Sequence, residues 1–177
     1  MSSRTKAIIK LSVAAGLAIV AVATAISKMR LLVASGEEGL HVWFYDQSEA
    51  VLYTVPRGTY PPHEGVGGEK NDGVRAVVVA ARDECNESSK RRIAYLETYT
   101  PEYKQLVEGI RAARAEGRAY GRPIPSAESG FYEKNTLVRR VDDSRWFDMT
   151  TVEARQIVSQ WRNERGPEGK TLDVCTP

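Results

Sequence analysis

Residues 42–55 read VWFYDQSEAVLYTV and carry four aromatic side chains in fourteen positions. Aromatic and β-branched residues on both sides of the polar segment 46–49 (DQSE) predict two strands, over residues 40–45 and 51–55. Because side chains alternate along a strand, Trp43 and Tyr45 point to one face, and Val42 and Phe44 to the other. Both faces are apolar, so we expect a hairpin whose sheet is covered on both sides. A membrane-interface aromatic belt and a ligand-stacking platform are the alternatives.

The segments that follow predict further strands and two helices. Residues 74–81 (VRAVVVAA) have the pattern of a buried strand, and residues 92–99 (RIAYLETY) that of its antiparallel neighbour, although a helix from Ser88 competes. A helix start at Thr100-Pro101-Glu102 predicts a helix to about Glu116. Residues 136–141 and 145–149 predict a second hairpin, and a capping box at Thr150 predicts a last helix that ends at Gly166.

This order of elements predicts an α+β domain over residues 35–177. Four strands, a helix, two strands and a helix are typical of a mostly antiparallel sheet with about two helices packed on one face. The chain has 177 residues, so one domain of this size accounts for everything after the N-terminal segment.

Two long loops separate these elements. Residues 56–73 (PRGTYPPHEGVGGEKNDG) hold three prolines and five glycines, and residues 117–135 show no periodicity. Loops of this length are typically functional or act as connectors. We predict that the first loop, together with the aromatic hairpin, forms an interaction surface. Its residues are Trp43, Tyr45, Tyr60, His63 and Glu64.

The N-terminal segment predicts a membrane anchor over residues 1–34. Residues 11–26 carry no charge, and sixteen helical residues span about 24 Å. Lys10 and Lys28 could extend their amines to the two interfaces, so we expect contact with the membrane through residues 7–33. The basic residues before this run favour a cytoplasmic N-terminus. They predict a single pass of the inner (cytoplasmic) membrane with the domain on the periplasmic or extracytoplasmic side. A signal peptide cleaved near Ala25, followed by secretion, is the alternative.

The charge distribution argues against nucleic-acid binding. The net charge is +2, but five of the 25 basic residues lie within residues 1–30, which contain no acidic residue. The rest of the chain therefore has 20 basic and 23 acidic residues. A mildly acidic domain lacks the clustered Lys and Arg that bind phosphates, so we expect no nucleic-acid partner.

The sequence contains no motif that indicates a catalytic, cofactor or metal site. HExxH, GxGxxG, GxxxxGK[ST], GxSxG and CxxC patterns are absent. The two histidines, His41 and His63, are too few for a multi-histidine site. We therefore predict no catalytic residue, no cofactor and no metal ligand. Cys85 and Cys175 either form a disulfide that holds the C-terminal tail or remain two free thiols.

Three segments together resemble a family of uncharacterised bacterial proteins with one N-terminal membrane span and a small exported domain. They are VWFYDQSEAVLYTVP, GVRAVVVAA with RRIAYLETYTPE, and WFDM with EARQIVSQW and VCTP. The resemblance covers most of residues 40–177 in scattered segments and implies no activity. Members of the family often have a second cysteine near the position of Cys85. Its absence here leaves Cys175 as the one possible partner.

The leading functional hypothesis is a non-enzymatic, membrane-anchored envelope protein whose domain binds another protein. The second is an exported enzyme or small-ligand binder with a site between loops 56–73 and 117–135. That site would require polar groups from distant segments to converge: His63, Asp83, Glu128 and Asp143. The third is a pilin-like subunit, which the missing processing glycine and the missing acidic residue near the start of the apolar run disfavour.

Overall fold

The computed structural model describes residues 40–177, which form one antiparallel sheet and three α-helices. The strands are β1 (His41–Asp46), β2 (Val51–Pro56), β3 (Gly73–Ala81), β4 (Arg92–Tyr99), β5 (Thr136–Arg139), β6 (Phe147–Asp148) and β7 (Leu172–Val174). Their order in the sheet is β2-β1-β3-β4-β5-β6, and β7 pairs with the last residues of β3. Every strand pair is antiparallel. The predicted α+β class is confirmed.

The helices are α1 (Pro101–Ala115), α2 (Phe131–Asn135) and α3 (Val152–Asn163). The predicted start of α1 is confirmed, because the Thr100 hydroxyl accepts a hydrogen bond from the Tyr103 amide at 3.4 Å. The predicted cap of α3 is wrong by one residue. Thr151 accepts from the Ala154 amide at 3.2 Å, whereas the Thr150 hydroxyl donates to the Asp148 carboxylate. Ser88 begins only a single 3₁₀ turn.

The two faces of the sheet bury different side chains. Val74, Ala76 and Leu96 pack with Trp43 and Tyr45 on one face, which also contains both cysteines and is here named the disulfide face. The helices lie on the opposite face, here named the helix face, where Val138 packs against α3 through Ala154 and Ile157. The alternation predicted for β1 is confirmed, since Phe44 is fully buried on the helix face and contacts the Tyr53 ring.

Two elements depart from the sequence-based prediction. The loop over 117–135 ends in the short helix α2, whose last residue, Asn135, accepts a hydrogen bond from the Thr100 amide at 3.0 Å. The tail contains strand β7, and beyond it the Cys175 amide donates to the Val78 carbonyl at 2.8 Å. Both elements are too short to show a local periodicity, and their pairing partners lie far away in the chain. The domain therefore has three helices instead of about two.

The predicted membrane segment, residues 7–33, lies outside the described residues. Within residues 40–177, no helix combines the length and apolar character that a membrane crossing requires.

Candidate functional site

The loop over residues 56–73 is held at its centre by one buried carboxylate. Asp46 ends β1, and its side chain is fully buried. Its carboxylate accepts hydrogen bonds from two backbone amides of the loop, Val66 at 2.6 Å and Gly67 at 3.3 Å. It also accepts from the Glu49 amide at 2.9 Å, and the Ser48 hydroxyl oxygen lies 3.1 Å away; both residues are in the hairpin turn. One side chain thus joins the aromatic hairpin to the loop.

These donors keep Asp46 ionised. The hydrogen bond from the Glu49 amide is the largest cause that holds the pKa of Asp46 well below its usual range, and the hydrogen bond from the Gly67 amide acts in the same direction. Burial acts in the opposite direction and is outweighed. The loop is therefore anchored by a charged acceptor, which forms stronger hydrogen bonds than a neutral one.

Asp72 closes the loop at its far end. Its carboxylate accepts from the Ser48 hydroxyl at 2.7 Å and the Ser48 amide at 3.1 Å, while its carbonyl accepts from the Gln47 side chain at 2.9 Å. His63 and Gly73 then exchange two backbone hydrogen bonds, at 2.7 and 2.9 Å. The two ends of the segment 63–73 are consequently joined as in a short piece of sheet.

Helix α1 and strand β2 fix the remainder of the loop. The Lys104 ammonium donates to the Pro62 carbonyl, and the Arg111 guanidinium donates to the Gly58 carbonyl. The Tyr53 hydroxyl donates to the Glu64 carbonyl at 3.2 Å. A segment that the sequence predicts to be irregular is thus fixed by side chains from three other elements.

This fixed loop nevertheless exposes its own side chains. Val66 is 61% exposed, although its amide is bound by Asp46. His63 and Glu64 are also exposed, and the His63 ring lies edge-on to Phe44 with 6.5 Å between ring centroids. The loop therefore presents an apolar, an acidic and an imidazole side chain on a backbone that is bound by side chains of other elements.

A cluster of five aromatic rings lies where the two long loops meet on the helix face. It consists of Tyr60, Tyr99, Tyr103, Phe131 and Tyr132. Tyr99 and Tyr103 are closest, with centroids 4.5 Å apart; Tyr60 joins from the first loop at 6.4 Å, and Tyr132 from the second at 5.6 Å. Burial is the main reason that the pKa of Tyr99 is raised above that of an ordinary tyrosine. All five rings are partly exposed.

Trp43 and Tyr45 do not belong to this surface. They lie on the disulfide face, where the Trp43 indole donates to the Cys175 carbonyl at 3.1 Å and the Arg91 guanidinium lies 4.9 Å from the ring centroid. The five residues predicted as one interaction surface are therefore divided. Tyr60, His63 and Glu64 remain together on the loop, while Trp43 and Tyr45 pack against the core of the disulfide face.

Cys85 and Cys175 lie at disulfide distance, with 2.03 Å between their sulfur atoms and 5.3 Å between their Cα atoms. The bridge links the 3₁₀ turn that follows β3 to the tail after β7 across 90 residues of sequence. The sequence left a disulfide and two free thiols as alternatives, and the structure supports the disulfide, in which Cys175 is 98% buried.

The polar residues considered for an enzyme or ligand site have separate surroundings. Asp83 pairs with Lys170 at 2.9 Å, Asp143 accepts from the Arg145 amide at 2.9 Å, and Glu128 lies in an exposed 3₁₀ turn. His63 contacts Phe44, as described above. Within residues 40–177, no group of three or more His, Cys, Asp or Glu side chains is arranged to hold a metal ion.

A shallow groove between β4 and α3 contains two arginines that are already bound. Arg92 pairs with Glu164, and Arg140 donates to the Gln160 side chain at 2.8 Å. These neighbours satisfy the guanidinium groups, so the groove gives little reason to expect an anionic ligand.

Sequence reasoning missed the role of Asp46, although a signal was present. An Asp followed by Ser two positions later, at the end of a strand, is typical of a turn in which the carboxylate accepts backbone amides. The aromatic cluster also had a partial signal, because Tyr99 and Tyr103 flank the start of α1.

Comparison of the chain with protein-family models, curated proteins and solved structures finds no match. The family resemblance noted in the sequence therefore stays a prediction.

Proposed function

We propose that this chain is a non-enzymatic, membrane-anchored envelope protein that binds another protein through the loop over residues 56–73. Residues 7–33 would hold it in the inner membrane, with the domain on the extracytoplasmic side. Secretion after cleavage near Ala25 is the alternative for the same domain. The Cys85–Cys175 bridge supports an exported location, because disulfides persist in oxidising compartments.

The observation that carries the binding proposal is the combination of a fixed backbone and exposed side chains in one loop. Asp46, Lys104 and Arg111 all bind backbone atoms of the loop and leave the side chains of His63 and Val66 exposed. A loop that is already ordered loses little conformational entropy when a partner binds. Loops held by a rigid scaffold are also the common location of binding residues.

A photocrosslinking experiment tests this surface. We would replace Val66 with p-benzoylphenylalanine in the full chain and irradiate native membranes, with the same replacement at Val152 in α3 as the matched control. Both valines are similarly exposed, at 61% and 58%. We expect a discrete adduct heavier than the 19.6 kDa chain from position 66 and none from position 152. Introducing Glu64→Lys should weaken that adduct. Equal adducts from both positions, or none from position 66, would reject the loop as the binding surface.

Intact mass tests the anchor separately. We expect the full-length chain in the membrane fraction of its native host, lighter by two hydrogen atoms than the reduced chain. A mass that lacks the residues up to about Ala25, found in the soluble fraction, would support the cleaved signal peptide. Two alkylatable thiols on a full-length chain would contradict an exported, bridged domain.

A small-ligand binder is the second candidate, and the aromatic cluster favours it. Tyr60 of the first loop contacts Tyr99, and Tyr132 of the second contacts Tyr103; the adjacent rings of Tyr99 and Tyr103 thus lie between the two long loops, as the hypothesis of a site between those loops requires. Aromatic faces stack on flat or apolar ligand surfaces. Ligand-induced shifts in the melting temperature of the full chain would support it, provided that Tyr60→Ala abolishes them.

A further inference from the structure

Strand β2 forms one edge of the sheet, and Pro56 at its end is the one residue in it that limits pairing with a further strand. It is the terminal strand in the sheet order, its sequence VLYTVP carries no charge, and Val51 is 45% exposed. Natural edge strands are typically shielded by charged side chains, bulges or covering segments. β2 pairs with β1 over its whole length without a bulge. Within residues 40–177, no other strand pairs with its outer edge.

The hydrogen-bond pattern of the β1–β2 ladder identifies the backbone groups on that edge. The Arg57 amide donates to the Leu40 carbonyl at 2.8 Å, which makes 40 and 57 a hydrogen-bonded pair. Because such pairs alternate in antiparallel sheets, Phe44 and Tyr53 also form one. The amides and carbonyls of Leu52 and Thr54 therefore point away from β1. None of these four groups has a protein partner among the described residues.

Pro56 ends the usable part of the edge. Proline has no amide hydrogen, and its carbonyl already accepts from the Thr59 amide at 3.1 Å and the Thr59 hydroxyl at 2.9 Å. The open edge thus offers two donors and two acceptors, on two residues with Tyr53 between them.

We propose that β2 is a homodimer interface, in which two copies of this chain pair their β2 strands antiparallel around a two-fold axis at Tyr53. In this register Leu52 of each copy lies opposite Thr54 of the other, and all four outward groups of each copy form hydrogen bonds. A register centred on Thr54 would place Leu52 opposite Pro56 and lose the bonds that proline cannot make. Antiparallel pairing of identical strands is self-complementary, as a two-fold interface requires.

The charges that flank β2 favour a second copy over an unrelated strand. Glu49 precedes the strand and Arg57 follows it; both are exposed, and neither forms an ion pair within residues 40–177. A two-fold axis at Tyr53 places position 49 of one copy opposite position 57 of the other. The interface would therefore contain two Glu49–Arg57 pairs at its ends. The uncharged strand between them gives no repulsion between identical copies.

The first experiment measures the dimer dissociation constant of the purified full chain in detergent by light scattering and sedimentation. Thr54→Pro removes one outward amide from each copy, and edge strands tolerate proline where the amide faces solvent. We expect the dissociation constant to rise by at least about tenfold. Thr54→Val is the matched control and should stay within about twofold of the wild type. Thr54→Lys, which places a charge on the edge, should weaken the dimer by a similar factor if the proline variant fails to fold.

A charge exchange tests the register. Glu49→Lys and Arg57→Glu should each weaken the dimer by about fivefold, because like charges then oppose each other at both ends of the interface. The double variant should restore the wild-type dissociation constant within about twofold. Neither side chain donates or accepts a hydrogen bond within residues 40–177, so the monomer fold is expected to tolerate both changes.

The possible results separate cleanly. A wild-type dimer that Thr54→Pro disrupts and the charge exchange rescues would establish the interface. A monomeric wild type at about 100 µM, where a weak specific dimer would still form, would overturn it. A dimer that resists both Thr54→Pro and Thr54→Lys would also overturn it, since association would then use another surface. Single charge variants without rescue by the double variant would overturn the register centred on Tyr53.

Discussion

Removing the Cys85–Cys175 bridge should strongly destabilise the domain without changing its fold. The perturbation is the double variant Cys85→Ala/Cys175→Ala, compared with the oxidised wild type. The contacts around the bridge do not need the sulfur atoms. β7 remains paired with β3, the Cys175 amide donates to the Val78 carbonyl at 2.8 Å, and the Trp43 indole donates to the Cys175 carbonyl at 3.1 Å. The main effect should therefore fall on the unfolded chain.

The magnitude follows from the length of chain that the bridge closes. For a sequence separation of 90 residues, the chain-entropy relation gives about 15.5 cal/mol/K, which is about 4.6 kcal/mol at 25 °C. With a urea m value of about 1.5 kcal/mol/M, the midpoint of unfolding should fall by about 3 M. Such a loss is comparable to much of the total stability of a typical domain.

Urea unfolding followed by tryptophan fluorescence and far-UV circular dichroism provides the assay. The single variants Cys85→Ala and Cys175→Ala, kept reduced, should each lose about as much stability as the double variant, because either change removes the whole bridge. Reduced wild type is the matched control and should behave like the double variant. A loss below about 1 kcal/mol in a fully folded double variant would refute the loop-closure argument. Additive losses in the two single variants would show that packing, and not the bridge, supplies the stability.

Three further predictions concern the loop and the last helix. Because its pKa is depressed in the folded state, Asp46 contributes stability at pH values above the ordinary aspartate pKa of 3.8, and this contribution is lost as the pH falls towards the folded-state pKa. Asp46→Asn should therefore flatten the decline in melting temperature below about pH 4. An unchanged acid profile would contradict this role of Asp46. Gly73→Ala should destabilise the domain by about 1–3 kcal/mol in urea unfolding, because its new methyl group would collide with the Tyr53 hydroxyl. Gly121→Ala is the control and should have little effect, since the space around Gly121 is open. Thr151→Ala should cost about 1 kcal/mol in the same assay, and more than Thr150→Ala, since Thr151 caps α3; the reverse order would restore the cap that the sequence predicted.

Local patterns predicted the elements whose signals lie within a few residues. Alternation in 42–55 predicted the hairpin and the faces of Trp43 and Phe44, and the Thr100-Pro101-Glu102 segment predicted the start of α1. The cap of α3 was misplaced because Thr150 and Thr151 are chemically equivalent, and only the geometry of the preceding turn decides which hydroxyl faces the helix amides.

Other features depend on residues that are distant in sequence. Arg139 is 92% buried although it is charged; its guanidinium donates to carbonyls nearby in the chain and, across 92 residues of sequence, to the Gln47 side chain at 2.9 Å. Asp46 is buried for the same kind of reason, since amides about twenty residues later in the chain bind its carboxylate. No local pattern predicts these partners, because burial of a charge becomes favourable only once the partners are in place.

The sequence by itself determined the α+β class, the strands of the aromatic hairpin and the start of α1, because these depend on side-chain period and on capping chemistry within one or two turns. Only the tertiary structure decided that side chains of other elements bind the backbone of the long glycine-rich loop, that Trp43 and Tyr45 lie on the face opposite His63, and that the tail adds a strand to β3. The physical reason is that hydrogen bonds and disulfides between distant segments depend on the packing of the whole chain, so no pattern within a few residues reveals which segments meet.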